Sequence, residues 1–177
     1  MYDVASLTKI MATMPHVLQA YDKGTLSLSS KLGELLPEFA QTDKKDISVK
    51  ELLSHYARLQ PWEPFYKKTL DSAGMPLAQY YRQRYEPGFT TQVAENLYIR
   101  DDYNDTILKF IAQSKLLPKK QYKYSDFAFI IMERFVERVN AGRFDALSAE
   151  RFFAPMGMSY TLYNPLHKFD MSVIAPT

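Results

Sequence analysis

The sequence predicts a mainly α chain, on three observations. Apolar residues recur at three-and-four spacing over several stretches, helix-capping residues stand just before those stretches, and only one pair of short segments alternates as strands do. With 46% apolar and 14% aromatic residues, 177 residues suffice for a packed core and for a single partial domain over 1–177.

The first helix is expected from Ser6 to Lys23. Leu7, Ile10, Met11, Met14, Val17, Leu18 and Tyr21 lie on one face, and Gly24 supplies the stop. Pro15 removes an amide from the ladder, so a bend is expected there. A short helical turn follows at 31–36, ended by Pro37. Ser48 and Glu51 form a capping box, in which hydroxyl and carboxylate each satisfy the other's backbone amide, and a helix over 49–55 follows. The stretch 60–66, with two prolines and the only tryptophan, reads as irregular. A helix is expected over 76–85, with Pro76 at its first position and Pro87-Gly88 after it.

Residues 90–94 and 97–100 read as a hairpin across Glu95-Asn96. Asp102 or Asn104 caps a helix to Gln113, and Ser125 caps a long helix over 126–139 that ends at Asn140-Ala141-Gly142. A last helix over 146–153, capped by Asp145, gives way to a loop-like tail.

Charge excludes some functions. Twenty-two basic and twenty acidic residues leave a net charge of +2 and are interspersed, so no nucleic-acid partner is indicated. No apolar run is long enough for a membrane span, and no secretory signal opens the chain. Cysteine is absent, and His16, His55 and His167 lack partners at ligand spacing, so no metal or cofactor is expected and the histidines read as packing or surface groups. Trp62 and Tyr66 are candidates for a substrate rim.

Chemistry points to Ser6 and Lys9. A three-residue step puts both on one helix face at its N-terminus, where free amides favour developing negative charge. A serine hydroxyl needs a base, and lysine is one only where burial or nearby charge lowers its pKa.

Ser6-Leu7-Thr8-Lys9 is followed by Gly24-Thr25-Leu26-Ser27-Leu28, Leu35-Leu36-Pro37 and Leu52-Leu53-Ser54-His55, then by Tyr124-Ser125-Asp126 and Pro155-Met156-Gly157-Met158. This order resembles the serine β-lactamases and DD-peptidases, including class C enzymes and related esterases. With Trp62-Glu63-Pro64-Phe65-Tyr66 it is most similar to the β-lactamase-related domain fused to family 3 glycoside hydrolases in bacterial envelope proteins. The resemblance implies the helical part of an α/β (α+β) fold, lacking most of its central antiparallel sheet, and a periplasmic or cell-envelope location. It implies a serine hydrolase with Ser6 as nucleophile, Lys9 as base and Tyr124 as proton shuttle. Asp126 stands at the substrate-binding position, where the family has an asparagine.

The substrates implied are peptidoglycan-related peptides, esters or β-lactams. Asp126 departs from the pattern in being unable to donate a hydrogen bond. The family's third motif, a K-S/T-G or H-x-G strand, has no counterpart here, so the chain is expected to be a fragment, inactive by itself and prone to self-association through the face its missing sheet would cover. The alternative is a non-catalytic helical binding or accessory module derived from the same family.

Overall fold

A computed structural model describes residues 1–175. The chain divides into two compact units. A sheet unit takes Met1–Asp3, Glu63–Ile107 and the described part of 162–177; a helical unit takes Val4–Trp62 and Leu108–Thr161. No composition shift marks the division, because it falls partly inside a helix.

In the helical unit the first helix begins at Leu7, passes through a π turn at Lys9–Thr13 and continues as α1 (Met14–Asp22). The π turn explains what Pro15 does. The amide of Met14 donates to the carbonyl of Lys9 five residues back, and the extra residue lets the proline ring enter near the start of α1, where an amide would go unused. Leu7, Ile10, Leu18 and Tyr21 are each more than half exposed along this helix.

Next come α2 (Leu32–Leu35) and α3 (Val49–Leu53). The capping box forms as its residues require: Glu51 accepts from the Ser48 amide at 2.8 Å, and the Ser48 hydroxyl accepts from the Glu51 amide at 3.3 Å. Gly33 sits where a Cβ would lie 2.9 Å from that of Lys45 and 3.2 Å from the Ala40 Cα, so its missing side chain lets α2 dock on the 42–47 loop. The docked loop buries Lys44 completely. The Lys44 ammonium donates to Asp43 Oδ1 at 2.7 Å, to the Ala112 carbonyl at 3.2 Å and to the Ser114 carbonyl, which caps the end of α4 (Tyr103–Gln113).

The centre of this unit is α5 (Phe127–Asn140), whose Phe127, Ile131, Met132 and Phe135 are essentially inaccessible to solvent. The first helix, α3 and α6 (Phe144–Ser148) pack on it. Ser125 does not cap α5: its hydroxyl donates to the Gln60 carbonyl at 2.6 Å, and Asp126 takes the N-cap position. Helix α6 starts before Ala146, with Arg143 and not Asp145 at its cap, because Glu137 accepts the Phe144 amide at 3.0 Å; it runs on into a π turn, Ala149–Phe153.

Helix α5 ends on Ala141 in the left-handed region, φ 49°. A Cβ there costs about 1 to 2 kcal/mol, part of which glycine loses again through its freer unfolded chain. Ala141→Gly is therefore expected to stabilise the protein by about 0.5 to 1 kcal/mol, read as a higher urea midpoint. An unchanged or lower midpoint would contradict this account of the cap.

The sheet unit holds three antiparallel strands in the order β1 (Tyr81–Arg82), β3 (Leu97–Ile99), β2 (Thr91–Ala94). The β2–β3 hairpin turns at Glu95-Asn96, with Asn96 at φ 51° in place of a glycine and a register shift between Gln92 and Ala94. The helix expected over 76–85 is absent. Pro76 forms a bridge with Leu70, Tyr81 pairs with Ile99, and Pro87-Gly88 lies in the tight turn from Glu86 to Phe89. A partner strand satisfies the backbone that the Pro76 start and Pro87-Gly88 stop assigned to a helix. The tail forms 3-10 turns at Pro165–His167 and Met171–Val173, and the last two residues of the expected loop lie outside the described ones.

Candidate active site

Ser6 occupies the turn just before the first helix, after Ala5 at φ 43°. The amides of Leu7, Thr8 and Lys9 donate to the carbonyls of Val4, Ala5 and Ser6, winding the chain so that a three-residue step separates the hydroxyl from the ammonium. Lys9 Nζ donates to Ser6 Oγ at 3.0 Å, and the Tyr124 hydroxyl donates to the same oxygen at 2.9 Å. Lys9 Nζ also meets Asp126 Oδ1 at 2.6 Å. All four residues singled out from the sequence thus converge within the helical unit.

Tyr124 is 118 positions from Ser6, and its segment is held by contacts that no local pattern encodes. The Lys123 amide donates to the His55 carbonyl at 2.9 Å, and the Asp126 amide to the Pro61 carbonyl at 2.8 Å. The Ser125 amide donates to His55 Nδ1 at 3.2 Å, and the His55 ring centroid lies 4.6 Å from that of Tyr124.

His55 is therefore the site residue that sequence reasoning missed as packing. Its Leu52-Leu53-Ser54-His55 setting was the available signal. Because Nδ1 accepts, the neutral ring carries its proton on Nε2. Burial, then the Lys9 charge, lower its pKa, with Asp126 working against them. His55 itself sits at φ 59°, a strained position held by these bonds.

Electrostatics at Lys9 run opposite to what a resting base requires. Burial works to lower its pKa, but the hydrogen bonds and charges of Asp126 and Tyr124 together outweigh burial and hold it above the ordinary lysine value. Lys9 rests as an ammonium, 5.3 Å from the Tyr124 ring centre and 5.9 Å from that of Phe129. Ser6 Oγ consequently receives two donors at once, which favours negative charge on that oxygen but leaves neither donor free to take its proton. Asp126 makes the larger contribution, ahead of Tyr124, and an asparagine there would lack the charge. Trp62 and Tyr66 are each well exposed, in different units. No group of three metal-ligating side chains occurs among the described residues, and no described helix is long and apolar enough to cross a membrane.

The beta-lactamase family model matches residues 1–171, and the chain belongs to that family. It is 26% identical over 186 residues to the "Putative D-alanyl-D-alanine carboxypeptidase" of Escherichia coli, covering all of this chain and 37% of that protein. It is 26% identical over 174 residues to the N-acetylmuramyl-L-alanine amidase of Bacillus subtilis, covering 95% and 34%. The octameric penicillin-binding protein homologue of Pyrococcus abyssi shares its fold with a TM-score of 0.64 at 16% identity, over 98% of this chain and 35% of that one. The chain thus spans about a third of the length of these relatives.

Proposed function

We propose that the chain carries the nucleophile of a serine hydrolase that works through an acyl-enzyme on Ser6. The observation that carries this reading is the convergence of Lys9 and Tyr124 on Ser6 Oγ, both within 3.0 Å. Ser6 Oγ attacks a carbonyl carbon as its proton passes to neutral Lys9; Tyr124 gives its own proton to the leaving group and takes that one from Lys9, which is neutral again, and water later releases the acyl group. Substrates are peptidoglycan-related peptides, esters or β-lactams, and the location is the cell envelope, as the names of the relatives suggest.

The resemblance to domains fused to family 3 glycoside hydrolases belongs to the same proposal, and the coding sequence on either side of this chain tests it. The second oxyanion donor comes from a strand not identified in this sequence. Losing one such donor costs about 100- to 1000-fold in rate, so the 177-residue chain is proposed to show no turnover. The exposed stripe of Leu7, Ile10, Leu18 and Tyr21 supports self-association of the chain, read by sedimentation.

The test is acylation itself. A fluorophosphonate probe incubated with the chain is expected to leave a covalent adduct on Ser6, located by peptide mass spectrometry and absent from Ser6→Ala. Adduct formation should rise with pH as Lys9 deprotonates, and Asp126→Asn should move that rise to lower pH. An accessory module without catalysis is favoured by one observation, the Lys9–Asp126 ion pair, and predicts no Ser6 adduct at any pH.

A further inference from the structure

The Asp126 carboxylate has two oxygens in unlike positions. Oδ1 is out of contact with solvent and faces Lys9 at 2.6 Å, whereas the side chain as a whole is 41% exposed. No described residue donates to Oδ2. That oxygen can only accept, so it favours a donor and repels a carboxylate. Aromatic rings extend from the site: Tyr124 to His55 at 4.6 Å, His55 to Tyr122 at 6.0 Å, and Tyr122 to Tyr56 at 6.2 Å. Tyr56 and Tyr122 are 45% and 59% exposed, and such ring faces attract cations.

We propose that Asp126 makes the Ser6 site select acyl compounds bearing a positively charged nitrogen, which docks on the free Asp126 oxygen and weakens its hold on Lys9. An ammonium at Oδ2 shares the carboxylate with Lys9 and adds a like charge beside it, and both effects favour loss of a Lys9 proton to solvent water. Neutral Lys9 then accepts the Ser6 proton as Oγ bonds to the carbonyl carbon. A neutral or anionic compound supplies neither effect and leaves Lys9 protonated. The charged and titratable groups facing Lys9 are Asp126, Tyr124 and His55, together with the Ser6 hydroxyl. Selection and unlocking thus have one cause. Only the final proton transfer rests on the acyl-enzyme reading.

Three probes of similar size separate the charge states: N-butyl γ-aminobutyramide, N-butyl valeramide and N-butyl succinamate, which are cationic, neutral and anionic. Binding and the Lys9 titration are followed by NMR of the chain carrying carbon-13 at lysine Cε, so neither readout needs turnover. The cationic probe is expected to bind about tenfold more tightly than the neutral one, as a charge-assisted hydrogen bond allows, with the anionic probe weakest. It should also lower the Lys9 midpoint. In Asp126→Asn, checked for folding by its aromatic resonances, cationic and neutral probes should bind alike. Equal binding in the native chain, a preference that survives in Asp126→Asn, an unmoved Lys9 midpoint, or no binding by any probe would each overturn the proposal. Failure of the acyl-enzyme reading appears elsewhere, as a missing Ser6 adduct.

Discussion

Replacing Lys44 with methionine is expected to destabilise the protein by about 3 kcal/mol, one of the largest effects open to a single substitution outside the hydrophobic core. Methionine keeps the length of the side chain but removes all three donors. The carbonyls of Ala112 and Ser114 then lose their ammonium partner at the end of α4, where each buried acceptor left unsatisfied costs about 1 to 3 kcal/mol. Asp43 contributes less, since its side chain is 52% exposed and water can replace the lysine. Urea unfolding of native and variant chains measures the difference. A loss below about 1 kcal/mol would show that the buried ammonium costs as much to desolvate as its contacts return.

Protonation of buried His16 provides the second large effect. His16 is 3% exposed, packs on Phe144 and Phe152 at ring distances of 5.3 and 4.7 Å, and approaches the Ser148 hydroxyl at 3.2 Å through Nε2. Burial, and then the Arg151 charge, lower its pKa from 6.5 to about 4. The unfolded chain therefore takes up a proton near pH 6.5 that the folded chain refuses until about pH 4. His16 costs nothing above the upper value, and its burial removes stability progressively as pH falls, by up to about 3 kcal/mol.

Glu133 acts in the opposite sense over much of the same window. Burial and the carboxylates of Glu137 and Asp145 raise its pKa to about 7, so its contribution is lost as pH rises. The native profile contains both effects and partly cancels. The difference between native and His16→Gln isolates the histidine: the variant's relative stability should improve by about 2 to 3 kcal/mol from about pH 7 to about pH 4. A constant difference across that range would mean that His16 is not held neutral.

What the sequence made legible was what short-range chemistry decides. Ser48 and Glu51 are three residues apart and satisfy each other, so the start of α3 could be read directly. The same holds for the Ser6–Lys9 step. Ser125 was misread as a cap because its hydroxyl goes to a carbonyl 65 positions away, which no cap pattern can anticipate. The segment after Pro76 has a helix-start residue before it and a Pro87-Gly88 stop after it, yet β3 captures its backbone instead. Tyr124 could be placed beside Ser6 only through family resemblance. Asp126 was visible as a departure, but its ion pair with Lys9 depends on tertiary packing, and that pair sets the charge of the site.

The π turn at Lys9–Thr13 has a consequence for how this chain can change by mutation. A π turn holds one residue more than an α turn, so the helix carries a removable unit between the Ser6–Lys9 end and α1. Deleting one residue from 10–13 would leave the composition almost untouched and restore an unbroken α-helix up to Pro15. Because the π turn absorbs its extra residue within one turn, the end bearing Ser6 and Lys9 would keep its facing relative to α1. Pro15 would then lie in an ordinary α turn, where its ring presses on the carbonyl four residues before it. The extra residue thus serves the proline, and a single-codon loss there would cost stability before it cost the geometry of the site.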